Sequence, residues 1–273
     1  AERQTVQLAV VKNEETLTAA QWFKRGIDFA YERKDYESAV VAFTKAISLN
    51  PNYSNAYIMR GAVFDEVGKY DRAIIDIEQA IAIDPNNSFA YICRGLGYYN
   101  DGDYDKAIGY FNKAIELNPD ALAYCDRGMA YSQSGRMNLA IQDFNRAISL
   151  DPKYNDAYYE RGRMYSNNAM YDLAIADYSY AIELYPKNAD YYVNRGIAYY
   201  NKGHYYQAIT DYGQAIDLDK KCALAYYNKA LACENVNHNE EATQAYRSFL
   251  IYAGHEHEKL IQYARQRIAA LSI

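Results

Sequence analysis

Arginine recurs as Arg25, Arg60, Arg94, Arg127, Arg161 and Arg195, with Lys229 closing the series. Sixteen residues after four of these cations stand Asp76, Asp143, Asp177 and Asp211. Two chemistries suit the pattern. A planar guanidinium can hold a carboxylate through two charge-assisted hydrogen bonds, or a row of arginines can bind an anionic ligand. Helix-hairpin geometry puts positions at this separation opposite one another, so partly buried pairs are expected inside four repeats, serving geometry more than stability. Other reactive residues are sparse. Cys93, Cys125, Cys222 and Cys233 have neither a close pair nor metal-ligand spacing and read as free thiols, which points to a cytoplasmic setting. His255 and His257 diverge on a helix, and His204 and His238 have no ligand set nearby in sequence. No nucleophile and base arrangement, phosphate-cradling glycine loop or carboxylate dyad is visible. The chain is therefore expected to be no enzyme and to hold neither metal nor cofactor.

The elements that position these residues follow from three columns in register. The first is Gly26, Gly61, Gly95, Gly128, Gly162, Gly196 and Ala230, with successive spacings of 35, 34, 33, 34, 34 and 34 residues. The second runs Ala39, Ala73, Ala107, Ala140, Ala174, Ala208 and Ala242; the third runs Ala46, Ala80, Ala114, Ala147, Ala181 and Ala215 and closes with Phe249. Five units end at Pro51, Pro85, Pro119, Pro152 and Pro186, which are all the prolines of the chain. A period near 34 signals stacked two-helix units. Within Ser88 to Pro119, Tyr91, Gly95 and Tyr98 line one face of a first helix, and Ala107, Phe111 and Ala114 line a second. Gly102 suits the left-handed residue just past a helix, as do Gly68, Gly135 and Gly203 in matching places, with Lys34, Ala169 and Asn237 as exceptions. Neither helix buries its face alone, so neighbouring units must stack.

These aromatic, Gly, aromatic, Ala, aromatic, Ala, Pro columns resemble the tetratricopeptide repeat over about residues 19 to 253. The resemblance implies an all-α fold, a right-handed superhelical α-solenoid of antiparallel helix pairs whose first helices line a concave groove and whose second helices form the convex back. It also implies a non-enzymatic interaction scaffold that binds a peptide or partner segment in that groove. A self-assembling structural repeat protein and an accessory interaction domain of a longer chain are the alternatives. The organisation expected is an N-terminal segment, 1–18, flexible or loosely docked; seven repeats, 19–253; and a capping helix, 254–273. Repeat one carries an extra residue between Phe29 and Tyr36, expected in its turn, and repeat seven substitutes Ala230, Cys233 and Phe249 at column positions. Atypical ends are the rule in such arrays.

Composition narrows the partner. The 273 residues carry a formal charge of −6 with no basic run, which disfavours a phosphate backbone and hence nucleic acid. No apolar stretch approaches the roughly 20 residues that span a bilayer, so membrane insertion is not expected. Many of the 32 tyrosines, such as Tyr57, Tyr91, Tyr124, Tyr158, Tyr192 and Tyr226, fall in one column and read as packing residues.

The family's concave lining lies one, four and five residues past the small site and three before it. Carried onto this chain, those positions give the groove candidates Ile58, Ile92, Leu96, Tyr99, Asn100, Met129, Tyr159, Arg163, Asn167, Val193, Ile197, Tyr200, Asn201, Tyr227, Leu231 and Asn235, to which Asn194 and Asn228 are added as a second amide set. The face is apolar and aromatic with recurring carboxamides. Those amides could donate to and accept from an extended peptide backbone, or simply end an exposed helix turn. The lysine and asparagine clamp that family members use for chaperone tails is absent: Ile58, Ile92, Cys125, Tyr159 and Val193 occupy a lysine site. Asp65, Glu66, Asp126, Asp156, Glu160, Asp190 and Glu234 outnumber Lys24 and Arg163 along the lining, which favours a neutral or basic partner with apolar anchors. Self-association stays open, because residues 1–18 could enter a neighbour's groove. At the other end Leu260, Ile261, Ala264, Ile268 and Leu271 share one face, as a solvating cap requires.

Overall fold

The computed structural model describes residues 17–271, so the expectations for the segment before Leu17 lie outside the described residues. Helices fill nearly all of this span, and their packing divides the chain into two compact units that meet at Ser134 and Gly135. The first unit holds α1 (Ala19–Ile27), α2 (Tyr36–Leu49), α3 (Ser54–Glu66), α4 (Tyr70–Ile83), α5 (Ser88–Asn100), α6 (Tyr104–Leu117) and α7 (Ala121–Gln133). The second holds α8 (Met137–Leu150), α9 (Asn155–Asn167), α10 (Tyr171–Leu184), α11 (Ala189–Asn201), α12 (Tyr205–Leu218), α13 (Ala223–Asn235), α14 (Asn239–Tyr252) and α15 (Glu258–Leu271). Inside each unit consecutive helices pair and each pair packs on the next, the all-α solenoid arrangement.

The columns explain the packing. Every alanine of the second and third columns is buried, as is Phe249. A Cβ added to Gly95 would lie 2.6 Å from the Phe111 ring, and one on Gly196 would lie 2.7 Å from Tyr212. The glycines therefore let an aromatic ring of the second helix lie directly on the first helix backbone. The tyrosine column does more than fill space: Tyr91, Tyr158 and Tyr192 donate their hydroxyls to the carbonyls of Pro85, Pro152 and Pro186, at 3.1, 3.4 and 3.2 Å. Each ring thus ties the start of a first helix to the turn before it.

Helix ends behave as the sequence predicts. Gly68, Gly102, Gly135 and Gly203 have positive φ, and so do Lys34, Ala169 and Asn237 at 53°, 57° and 59°. The closing bond past these residues runs from Asp103 N–H to the Tyr98 carbonyl at 2.9 Å and recurs from His204 to Tyr199 at 2.8 Å. Second helices begin at side-chain caps in two of the first three repeats, where Asp35 and Asp103 accept from the Ser38 and Lys106 backbones. One expectation changes. The extra residue of repeat one is absorbed in a π-helical turn over Asp28–Glu32 that widens the helix end, with Arg33 N–H bonding the Asp28 carbonyl at 3.2 Å.

The arginine column makes forked pairs. Arg60 grips Asp76 through Nε and Nη2 at 2.7 Å each, and Arg195 grips Asp211 at 2.8 and 2.7 Å. Arg161 holds Asp177 in the same way at 2.8 and 2.6 Å. Burial pushes the Asp177 carboxyl up, against the lowering effect of Arg161. For Arg161 burial opposes the charge, but the Asp177 fork outweighs it. The fourth expected pair, Arg127 with Asp143, falls across the division between the two units. Each arginine also has a contact that its spacing to Asp does not suggest. Nη1 reaches back sixteen residues into the preceding repeat, from Arg60 to Thr44 Oγ1 and from Arg195 to Ser179 Oγ, both at 3.0 Å, and from Arg161 to Asn145. Arg127 makes the equivalent bond to Asn112 at 2.7 Å. Arg94, which has Tyr110 where an Asp would stand, bonds Glu78 at 2.6 Å and lies over the Tyr98 ring.

The last helix, α15, packs on the hairpin before it. Ala264 is fully buried against repeat seven, with Leu260, Ile261, Ile268 and Leu271 around it. Arg267 Nε donates to Glu234 at 2.8 Å, and Glu234 also accepts from the Tyr246 hydroxyl at 2.5 Å.

Candidate functional site

In the second unit α9, α11 and α13 set their candidate residues side by side. Ile197, Tyr200, Asn201, Asn228 and Leu231 line a small hollow of about 220 Å3 floored by Tyr212. Tyr159 and Tyr227 are half-buried, with rings packed on Tyr191 and on Phe249 at 4.9 and 5.2 Å between centroids. Burial pushes the Tyr159 hydroxyl up to about 12, so it stays protonated. Its oxygen accepts from Asn194 Nδ2 at 3.0 Å, and the Tyr200 oxygen accepts from Asn235 Nδ2 at 3.1 Å. The same amides donate to the Asp190 and Leu231 carbonyls at 2.8 Å each. With both hydrogens so used, Asn194 and Asn235 retain a carbonyl oxygen for a ligand, which accepts but does not donate. Asn201 is exposed beside them, as is Asn167.

The acidic lining changes on inspection. Glu160 bonds Arg163 at 3.0 Å through both of its oxygens, and Glu234 is held by Arg267 and Tyr246. Burial pushes Glu160 up, and Arg163 opposes the shift. Arg163 is thereby a neutralising partner within the lining. In the second unit Asp156 and Asp190 remain as exposed lining acids.

The first unit carries a cavity of about 590 Å3 between the Asp28–Glu32 turn, α2, α3, α4 and α5. Leu96 and Asn100 line it as expected. Tyr36, Tyr70, Ile74, Ile77 and Asp101 line it too, contributed by second helices and a turn that the one-helix reading of the lining leaves out. Tyr99 packs on Tyr104 with centroids 5.5 Å apart, and Met129 is half-buried on α7.

Three candidates are corrected. Ile58 and Ile92 are 1% exposed and Val193 is 8% exposed, so no ligand reaches them. Residues three before the small site point into the seam between consecutive repeats. Ile58 is covered there by Ala80 and Ala90, Ile92 by Ala114 and Ala123, and Val193 by Ala215 and Ala225. Tyr159 and Tyr227, at the same site, are long enough to emerge from it.

Cys93, Cys125, Cys222 and Cys233 are thiols, none of them in a disulfide. Burial pushes the Cys93 thiol up to about 12, which keeps it an unreactive thiol at neutral pH. Among the described residues no group of three or more His, Cys, Asp or Glu could hold a metal ion, and no helix is long and apolar enough to cross a membrane.

Models of the tetratricopeptide repeat match residues 22–53, 42–75, 88–121, 121–154, 170–203 and 189–222. Comparison with curated proteins gives no match. Among solved structures, MamA is 30% identical, with a TM-score of 0.51 over 62% of this chain and 93% of its own. YrrB, described as a TPR protein with an unusual peptide-binding site, is 26% identical, with a TM-score of 0.51 over 69% and 97%. The Cut9–Hcn1 hetero-tetramer of the APC/C is similar in fold, with a TM-score of 0.70 at 20% identity, covering 84% of this chain and 48% of that one.

Proposed function

Because the chain belongs to the tetratricopeptide-repeat family, we propose that it is a non-enzymatic interaction scaffold whose first-helix faces take an extended peptide or partner segment. The single observation that carries this reading is the hollow of the second unit, where Ile197, Tyr200 and Leu231 stand beside the exposed amide Asn201. Apolar hollows with a few fixed polar groups are what an extended segment needs to seat side chains and keep its register. Asn194 and Asn235 present carbonyl acceptors beside it, which suit the N–H groups of a partner backbone. The peptide-binding site described for YrrB supports the same class of ligand. We assign seven repeats to 19–253 and a cap to 254–273, and four cysteines outside any disulfide suit a reducing compartment such as the cytoplasm.

Selection of a randomised displayed peptide library on the full chain tests the proposal. Asn201 is exposed, so Asn201→Arg fills the hollow without touching the core. Peptides are expected to enrich on the parent chain and bind the variant at least about tenfold more weakly, a loss of about 1.4 kcal/mol. Absence of enrichment, or binding indifferent to the arginine, would sink the reading.

A further inference from the structure

The cavity of the first unit has a sharper chemistry than the hollow of the second. Its wall is apolar, formed by Val63, Ile74, Ile77 and Leu96, and its mouth carries the carboxylates of Asp65, Glu66 and Asp101. One cation, Lys34, shares the lining freely. The other, Arg94, is already engaged by Glu78 and by the Tyr98 hydroxyl. Negative charge therefore exceeds positive at the mouth. Two aromatic rings stand there as well, Tyr31 and Tyr70, each 59% exposed. Apolar wall, anionic mouth and open rings are complementary to a side chain with an aliphatic stem and a cationic head.

A metal ion does not satisfy the same features, because these carboxylates are not gathered into a ligand cluster. The cavity volume of about 590 Å3 also exceeds one side chain and leaves room for adjoining main chain. We infer that this cavity receives a lysine or arginine of the partner, its stem against Leu96 and Ile74 and its head at Asp65, Glu66 and Asp101; the inference rests on the groove reading above. Asp65 supports it independently, since burial pushes its carboxyl up and the charges of Glu66 and Asp101 push it further, strain that an incoming cation relieves.

The peptides selected on the full chain provide the probe. They are expected to share a basic residue flanked by apolar ones. Replacing an arginine by citrulline, its neutral isostere, is expected to weaken binding about tenfold. The Asp65→Asn, Glu66→Gln double variant should weaken the parent peptide equally and abolish the difference between arginine and citrulline. Circular dichroism confirms that the variant is folded. Peptides that enrich and respond to Asn201→Arg, yet show no basic preference or ignore the double variant, overturn this assignment while leaving the groove reading intact. No enrichment at all overturns both. Self-association of the full chain that the double variant abolishes gives the cavity to a second copy, which also overturns the assignment.

Discussion

At the scale of single residues, the forked pairs divide structural from ligand-binding roles. Asp177 and Arg161 have side chains only 9% and 17% exposed, so removing either leaves a charge in a poorly solvated place. Asp177→Ala is expected to cost about 3 kcal/mol in urea denaturation, whereas replacing both partners by leucine should cost much less. Unchanged stability with altered sulfate binding would instead favour an anion ladder. The Arg and Asp columns made these forks legible in the sequence, because a fixed separation of sixteen across a helix hairpin leaves few alternatives. The backward reach of Nη1 was not legible, since Thr44, Asn145 and Ser179 share only an oxygen acceptor and no residue type. Ile58, Ile92 and Val193 were misplaced for a related reason. Periodicity assigns a residue to a helix face, but the depth of the seam beside that face depends on small neighbours such as Ala90 and Ala123 from the next repeat.

At the scale of elements, the turns between first and second helices set the register of each hairpin. Ala169 holds a left-handed φ of 57° where Gly135 and Gly203 hold theirs at no steric cost. Ala169→Gly is expected to raise stability by about 1 kcal/mol, read as a higher urea midpoint at constant slope. A loss would mean that the methyl group has a contact outweighing its strain. The seven turn positions could be read from the columns in advance. The π-turn of Asp28–Glu32 could not, because an inserted residue can widen a helix end or lengthen a turn with the same sequence spacing. The last helix poses a sharper test. Its face buries Tyr246 and Phe249 together with Ala264. A chain ending at Gly254 would expose that face, and light scattering after size-exclusion chromatography is expected to report growing, concentration-dependent particles. A truncated chain that stays the size of a monomer would remove the capping role.

At the scale of the whole molecule, the same scattering experiment on the full chain separates the two classes of function. A single size across a wide concentration range is expected for a scaffold that waits for a foreign segment, and concentration-dependent growth would favour self-assembly. The candidate site was partly visible from the family's positions: Leu96, Asn100, Ile197, Tyr200, Asn201 and Leu231 line hollows. The share contributed by Tyr36, Tyr70 and Asp101 was not, because it depends on how far the second helices and turns close over the first. The backward arginine bond has a consequence for how such a chain can change length. Excising 155–188, one whole period, would bring Arg195 opposite Asn145 in place of Ser179, exchanging one oxygen acceptor for another. The shortened chain is expected to fold with the same helical circular dichroism per residue. Copy number is then a variable that recombination between such repeats can adjust, adding or removing a unit while the junction keeps its chemistry.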